Sequence, residues 1–175
     1  EEYLTARALP AQGYVQPYPD SPLDHFNVAE NAYLHLIQRA DHYVYITTPY
    51  LILDNEFVTT LKTAAESGVD VRIITPSHPD KWYVHMVSRS YYQTLIQSGV
   101  KIYEYQPGFI HAKMCLCDDE AAMVGTANLD YRSLYLHYEN AVLLYHTPVL
   151  AEIKMDIEET LEKSRLITIE ELRSK

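Results

Sequence analysis

The chain has 175 residues, of which 47% are hydrophobic and 22% are charged, and it carries a formal net charge of -10. A chain of this length can bury about 70% of the surface that it exposes when unfolded, so it can form a core without disulfides. The composition excludes a disordered or collagen-like protein. The acidic balance argues against non-specific nucleic-acid binding, which requires a basic surface. We therefore expect a globular protein without a nucleic-acid partner.

The first 26 residues contain four prolines and no sustained hydrophobic period, which is typical of an extended segment. We predict a lead-in or linker over 1–26 and one domain over 27–175. Cys115 and Cys117 are too close together for a useful disulfide and too few for a structural zinc site, so a reducing compartment is expected. No apolar run reaches the roughly 18 residues of a membrane helix, and we expect this chain by itself to be soluble.

From Asn27 onward, helical and strand-like patterns alternate. Apolar residues spaced by four predict a first helix capped by Asn27, and a second helix is predicted to begin at Asp54. The remaining predicted elements are helices over 80–98 and after Pro148, and strands over 43–48, 69–75, 100–105, 109–117, 121–125 and 138–145. This order predicts an α/β layered domain with a mixed, mainly parallel sheet flanked by helices.

Groups suited to phosphoryl chemistry follow one another between positions 111 and 139. On a strand, His111 and Lys113 would point to the same side, which places a nucleophile beside a cation. Thr126 and Asn128 follow in a glycine-containing loop and can donate hydrogen bonds to an anionic oxygen. Glu139 can fix the tautomer of a histidine. The alternative interpretation of the histidine and lysine is an ordinary solvated strand face.

A row of basic residues is also predicted on the third helix. Lys81, His85 and Arg89 recur at a spacing of four, which places them on one face. That face could contact an anionic head group, or it could simply be solvated. The sequence leaves both interpretations open.

His111, Lys113 and Asp118, followed by Gly125-Thr126-x-Asn128, resemble the His-Lys-Asp motif of the phospholipase D superfamily. The flanking segments extend the resemblance to the C-terminal half of bacterial cardiolipin synthases, over nearly the whole chain. The segments that carry it are 20–24, 48–50, 68–73, 103–109 and 125–134. The chain departs from the commonest superfamily pattern at Thr126, where serine is usual, although a hydroxyl donor is retained.

The resemblance implies a phosphatidyltransferase that joins two phosphatidylglycerols into cardiolipin and releases glycerol. His111 would then be either the nucleophile that forms a phosphohistidine or the general acid. The resemblance assigns phosphate binding to Lys113, Thr126 and Asn128, support of the motif geometry to Asp118, and orientation of a catalytic histidine to Glu139. No cofactor and no metal are expected.

The chain contains a single motif, since no histidine other than His111 is followed by lysine two residues later. The resemblance therefore implies that an N-terminal phospholipase D-like half completes the site, and that apolar segments outside this chain hold the protein at the cytoplasmic side of a bacterial membrane. One alternative is a homodimeric phosphodiesterase or nuclease of the same superfamily, with two single-motif chains. Another is a non-catalytic domain that binds lipid head groups. The chain by itself could also form a homodimer.

Overall fold

The computed structural model describes residues 12–173, which form six helices and ten strands. The helices α1 to α6 are Val28–Arg39, Asn55–Glu66, Trp82–Gln97, Tyr131–Leu136, Val149–Glu162 and Ile169–Arg173. The strands β1 to β10 are Tyr14–Asp20, Tyr43–Thr47, Leu51–Ile52, Asp70–Pro76, Lys101–Tyr105, Met114–Cys117, Ala121–Gly125, Leu129–Asp130, Glu139–Tyr145 and Ser164–Leu166. None of the helices within residues 12–173 is long and apolar enough to cross a bilayer.

Eight strands form one mixed sheet in the order β1-β9-β7-β6-β2-β4-β5-β10. The neighbours β2, β4 and β5 are paired in parallel, and the other pairs in this sheet are antiparallel. Five of the eight strands, namely β1, β7, β2, β4 and β5, run in the same direction. The predicted fold class, a mixed sheet flanked by helices, is confirmed.

Helices cover both faces of this sheet. Tyr33 of α1, Phe57 of α2 and Leu95 of α3 belong to the larger core on one face, while Leu150 and Ile157 of α5 belong to the smaller core on the other face. The central strand β6 contributes its two cysteines to the larger core and Leu116 to the smaller one. Because β6 is buried on both faces, the only parts of it that can form a site are its ends.

The first two helices begin in different ways. The Asp54 side chain accepts a hydrogen bond from the Phe57 amide and caps α2, which begins one residue after the predicted start. The predicted cap of α1 is wrong, because the Asn27 side chain makes no capping bond. The Asp20 carboxylate at the end of β1 instead accepts from the first amides of the helix, including that of Ala29 at 2.9 Å. The carboxylate is well placed there because it also complements the helix dipole.

Residues 14–20 of the predicted lead-in form the edge strand β1 and so belong to the sheet. The strand pairs with β9 along its whole length, from Tyr14 opposite Tyr145 to Asp20 opposite Glu139. Pro17 and Pro19 are compatible with this position because a proline in an edge strand can turn its missing N–H side outward. The first 11 residues of the predicted lead-in lie outside the described part of the chain.

A second sheet, which we did not predict, consists of the short parallel strands β3 and β8. Leu51 pairs with Leu129, and the Thr48 hydroxyl accepts a hydrogen bond from the Leu129 amide at 3.1 Å. These contacts fix the segment after β7 beside the segment after β2. Both segments lie next to the residues singled out from the sequence. The structure also adds β10 and α6, which the sequence analysis did not predict.

Candidate active site

A cavity of about 420 Å³ lies where β6 begins and β7 ends. It is lined by His111, Ala112, Lys113, Met114, Val124, Gly125, Thr126 and Asn128. The hairpin of β6 and β7 brings the two halves of the motif together, and the Gly125 amide donates to the Lys113 carbonyl at 3.2 Å. Four of the predicted site residues therefore line one cavity.

The prediction that 109–117 forms one strand is wrong for its first half, because β6 begins at Met114. His111 and Lys113 thus lie on the segment that enters the strand. Lys113 is buried, with 8% of its surface exposed, whereas His111 is exposed. The histidine ring lies 5.5 Å from the ring of Phe109, measured between centroids. The accessible imidazole and the recessed ammonium face the same space.

The Lys113 ammonium donates a hydrogen bond to the carbonyl oxygen of His111 at 2.6 Å. Burial lowers the pKa of Lys113, because a charged amine loses hydration, while the nearby carboxylates of Glu139 and Asp130 act in the opposite direction. The bond fixes the side chain beside the motif histidine. A cation in this recess is suited to holding an anionic oxygen.

Glu139 is the centre of a hydrogen-bond network at the edge of the cavity. Its carboxylate accepts from the Thr126 hydroxyl through Oε2 and from the Ser133 hydroxyl through Oε1, the latter at 2.5 Å. The Nδ1 atom of His137 lies 3.7 Å from Oε1. The network joins the predicted residues Thr126 and Glu139, and it fixes the carboxylate with two donors.

Ser133 is a site residue that the sequence analysis missed. It is 1% exposed. Its hydroxyl donates to Glu139 and accepts from the backbone amide of Asn128 at 2.8 Å. Asp130 positions it by capping α4, since its carboxylate accepts from the Ser133 amide at 3.0 Å. A serine three residues after a helix-capping aspartate was the available signal. The Asn128 side-chain oxygen is buried without a hydrogen-bond partner among the described residues.

The structure does not bring Asp118 to the cavity. This residue lies beyond the other end of β6, about 16 Å along the strand from Lys113, at roughly 3.3 Å per residue. Its carboxylate accepts hydrogen bonds from the backbone amides of 41–43, including that of His42 at 3.0 Å. Asp118 therefore holds the hairpin turn to the segment that precedes β2.

The acidic turn 118–120 has protein partners of its own. Asp119 binds the Lys154 ammonium at 2.8 Å and accepts from the Tyr43 hydroxyl at 2.6 Å. Within residues 12–173, no group of three or more histidine, cysteine or acidic residues is arranged to hold a metal ion.

The three basic residues that were predicted to form one row on the third helix have different surroundings in the structure. Arg89 forms a 2.8 Å ion pair with Glu104, and His85 lies 3.9 Å from the same carboxylate. Lys81 instead lines a second cavity, of about 450 Å³. The full lining of the second cavity is Tyr50, Ile52, Lys81, Val84, Asn128, Asp130, Tyr131, Arg132 and His137. Asn128 lines both cavities, so they adjoin.

Residues 33–161 match a protein-family model whose description is "Cardiolipin synthase, PLD-like domain", where PLD stands for phospholipase D. The chain belongs to this family. The match covers most of the described chain and includes the motif and Glu139.

Relatives of this phospholipase D-like domain match nearly the whole chain. A Streptococcus mutans protein, described only as uncharacterized, is 53% identical over 168 residues, which are 95% of this chain and 36% of that protein. Cardiolipin synthase 2 of Bacillus anthracis is 39% identical over 171 residues, 97% of this chain and 33% of that protein. The chain therefore spans about a third of the length of these relatives.

Solved structures show the same fold. Nuc, a phospholipase D family member from Salmonella typhimurium, matches with a TM-score of 0.74 at 20% identity, covering 89% of this chain and 99% of that one. Phosphatidylserine synthase from Haemophilus influenzae matches with a TM-score of 0.68 at 20% identity, covering 87% of this chain and 40% of the other. At these identities the matches bear on the fold alone.

Proposed function

We propose that this domain supplies one histidine of a two-histidine site that transfers a phosphatidyl group between two phosphatidylglycerols. The observation that carries the proposal is the cavity that His111 shares with Lys113, Thr126 and Asn128. An accessible imidazole stands there beside a recessed cation, a hydroxyl and an amide. These are the groups needed to attack phosphorus and to stabilise the charge that develops on its oxygens.

The reaction proceeds in two displacements. First, a histidine nitrogen attacks the phosphorus of one phosphatidylglycerol; the N–P bond forms, the P–O bond to glycerol breaks, and a second histidine protonates the leaving oxygen. Then the second histidine accepts the proton of a hydroxyl group on the other phosphatidylglycerol. That oxygen attacks phosphorus, and the N–P bond breaks. His111 takes one of these two roles, and an N-terminal half of the same protein supplies the other histidine.

The other cavity residues act on charge and position. Lys113 holds the phosphate oxygens from its recess. Its hydrogen bond to the His111 carbonyl keeps the ammonium next to the histidine. Glu139 orients a catalytic histidine from a carboxylate already fixed by Thr126 and Ser133. We expect the complete protein at the cytoplasmic side of a bacterial membrane, as the resemblance to cardiolipin synthases implies.

The deciding test measures cardiolipin and glycerol formation from phosphatidylglycerol by the complete protein, and separately by the 175-residue chain. In the complete protein, His111→Ala should lower turnover by about 10³-fold or more. His35→Ala serves as the matched control, because His35 is an exposed histidine on α1 outside both cavities. A phosphorus label bound to the protein after alkaline quenching, lost in acid and absent from His111→Ala, would identify His111 as the nucleophile.

The same assay separates the alternatives. Turnover by the 175-residue chain that disappears in His111→Ala would support a homodimer of single-motif chains. If the complete protein binds phosphatidylglycerol vesicles without turnover, and the binding is unchanged in His111→Ala, the domain is a non-catalytic head-group binder. Either result contradicts the proposal as stated.

A further inference from the structure

The second cavity is suited to an anionic ligand, because two of its lining cations have no carboxylate partner. Lys81 and Arg132 are both exposed, and neither forms an ion pair with another residue of 12–173. The guanidinium Nη2 of Arg132 lies 3.4 Å from Nε2 of His137, which also lines the cavity. Two cations in one concave site create a positive local potential that attracts a phosphate.

The acidic groups near these cations already accept hydrogen bonds from the protein. Asp130 is buried, and its carboxylate accepts from the Ser133 amide at the start of α4. Asp80 accepts from the Tyr50 hydroxyl at 2.7 Å. Burial and this bond raise the pKa of Tyr50 to about 12, so the hydroxyl remains a neutral donor. The lining therefore contains two cations and one carboxylate, that of Asp130, which is already bound to the start of α4.

The position of the cavity indicates which ligand it takes. It adjoins the motif cavity at Asn128, so a molecule bound in it lies beside the reacting phosphorus. Its wall also contains the apolar side chains of Ile52 and Val84 and the exposed ring of Tyr131. A ligand with an anionic phosphate, a free hydroxyl and an apolar remainder matches this combination.

We propose that the second cavity binds the head group of the acceptor phosphatidylglycerol, with Arg132 and Lys81 on its phosphate. The inference rests on the proposed function and deepens it, because it assigns separate places to the two substrate molecules. The donor phosphate occupies the motif cavity. The acceptor phosphate is held in the second cavity, which presents the terminal hydroxyl of its glycerol past Asn128 to the phosphohistidine. The hydroxyl oxygen forms the new P–O bond, the N–P bond breaks, and the hydroxyl proton passes to the second histidine.

This assignment separates charged from neutral acceptors. Free glycerol lacks a phosphate, so its exchange into phosphatidylglycerol uses the motif cavity without the two cations. Cardiolipin formation uses both cavities. The test therefore compares, in the complete protein, cardiolipin formation with the incorporation of labelled glycerol into phosphatidylglycerol under the same conditions.

The variant is K81Q/R132Q, which removes both charges from exposed positions. We expect the ratio of cardiolipin formation to glycerol exchange to fall about tenfold, and the charge-preserving variant K81R/R132K to restore it to within threefold of the wild type. R39Q/K62Q is the matched control, since it removes the same charge from α1 and α2 outside both cavities. Its ratio should equal that of the wild type.

A ratio in K81Q/R132Q that changes less than threefold overturns the inference and leaves the proposed function intact. Wild-type protein that exchanges glycerol but forms no cardiolipin also overturns it, while phosphatidyl transfer itself stands. Wild-type protein that does neither overturns the proposed function, and the inference fails with it.

Discussion

The Ser133 hydroxyl joins Glu139 to the loop that carries Thr126 and Asn128. It donates to Glu139 at 2.5 Å and accepts from the Asn128 amide at 2.8 Å. Ser133→Ala leaves the partly buried backbone amide of Asn128 without its acceptor and removes one of two donors to the Glu139 carboxylate. We expect the free energy of unfolding to fall by about 1–3 kcal/mol and turnover to fall at least tenfold at a temperature where the variant is folded.

Urea denaturation and initial rates measure these two effects. Ser90→Ala is the matched control, because Ser90 is exposed on α3 and donates only to the Val87 carbonyl among the described residues. Turnover in Ser133→Ala equal to that of the control would show that the network stabilises the fold without positioning Glu139 for catalysis.

Lys113 should set the alkaline limit of activity. Its pKa is lowered by burial below the ordinary value of 10.5, so the ammonium loses its proton at a lower pH than an exposed lysine does. Activity should fall as the pH rises through this lowered pKa, and Lys113→Arg should move the alkaline limb upward, because a guanidinium stays charged. The measurement is the pH profile of kcat/KM for each protein, normalised to its own maximum. Identical alkaline limbs would contradict the assignment.

Removing the positive charge of Lys113 should slow phosphatidyl transfer. Lys113→Met keeps an unbranched side chain in the recess and removes the cation, and turnover should fall by about 10²–10³-fold. Lys62→Met is the control, because Lys62 lies on α2 outside both cavities. A loss below tenfold in a folded Lys113→Met protein would mean that the ammonium does not stabilise the transition state.

Gly125 should tolerate no side chain, because a Cβ atom there would lie 2.4 Å from the Cβ of Ala141 and 2.5 Å from the carbonyl oxygen of Asn140. Either β7 or β9 would have to move. Gly125→Ala should therefore lower the free energy of unfolding by about 1–3 kcal/mol and displace Thr126. At Gly108 the same substitution meets nothing within 4 Å, so Gly108→Ala should be neutral within about 0.5 kcal/mol. Equal denaturation midpoints for the two variants would show that a Cβ atom at position 125 does not clash with β9.

Asp118 should affect stability rather than chemistry. Asp118→Ala removes the acceptor of three backbone amides and should cost about 2–4 kcal/mol of unfolding free energy. Asp118→Asn should cost less, since it keeps one oxygen and suits the positive φ of 52° at this turn. For both variants, we expect kcat per folded molecule within threefold of the wild type. A hundredfold loss of kcat in a folded variant would return Asp118 to the catalytic set.

The sequence could predict features that depend on local pattern. A helix begins after Asp54, a strand spans 121–125 and a helix follows Pro148, each close to its predicted position. Grouping His111 with Lys113, Thr126 and Asn128 also succeeded, because a short hairpin joins the two segments that carry them.

The errors concern contacts between segments far apart in the sequence. The edge strand β1 forms by pairing with β9, which lies more than a hundred residues later in the sequence. Its two prolines are atypical of strands, so the local sequence did not indicate one. The partners of Asp118, the backbone amides of 41–43, are likewise distant in sequence, so the supporting role that the resemblance gives this residue could not be traced to them beforehand. The second cavity depends on how α4 packs beside β8, which no local period reveals.

The two prolines of β1 have a consequence for how this domain can associate. In the pairing with β9, positions 17 and 19 share one side of the strand, and neither has an N–H group to offer to an incoming strand. Within residues 12–173, no other strand pairs with this outer edge. The edge therefore resists the strand addition that leads to aggregation or to a continuous intermolecular sheet.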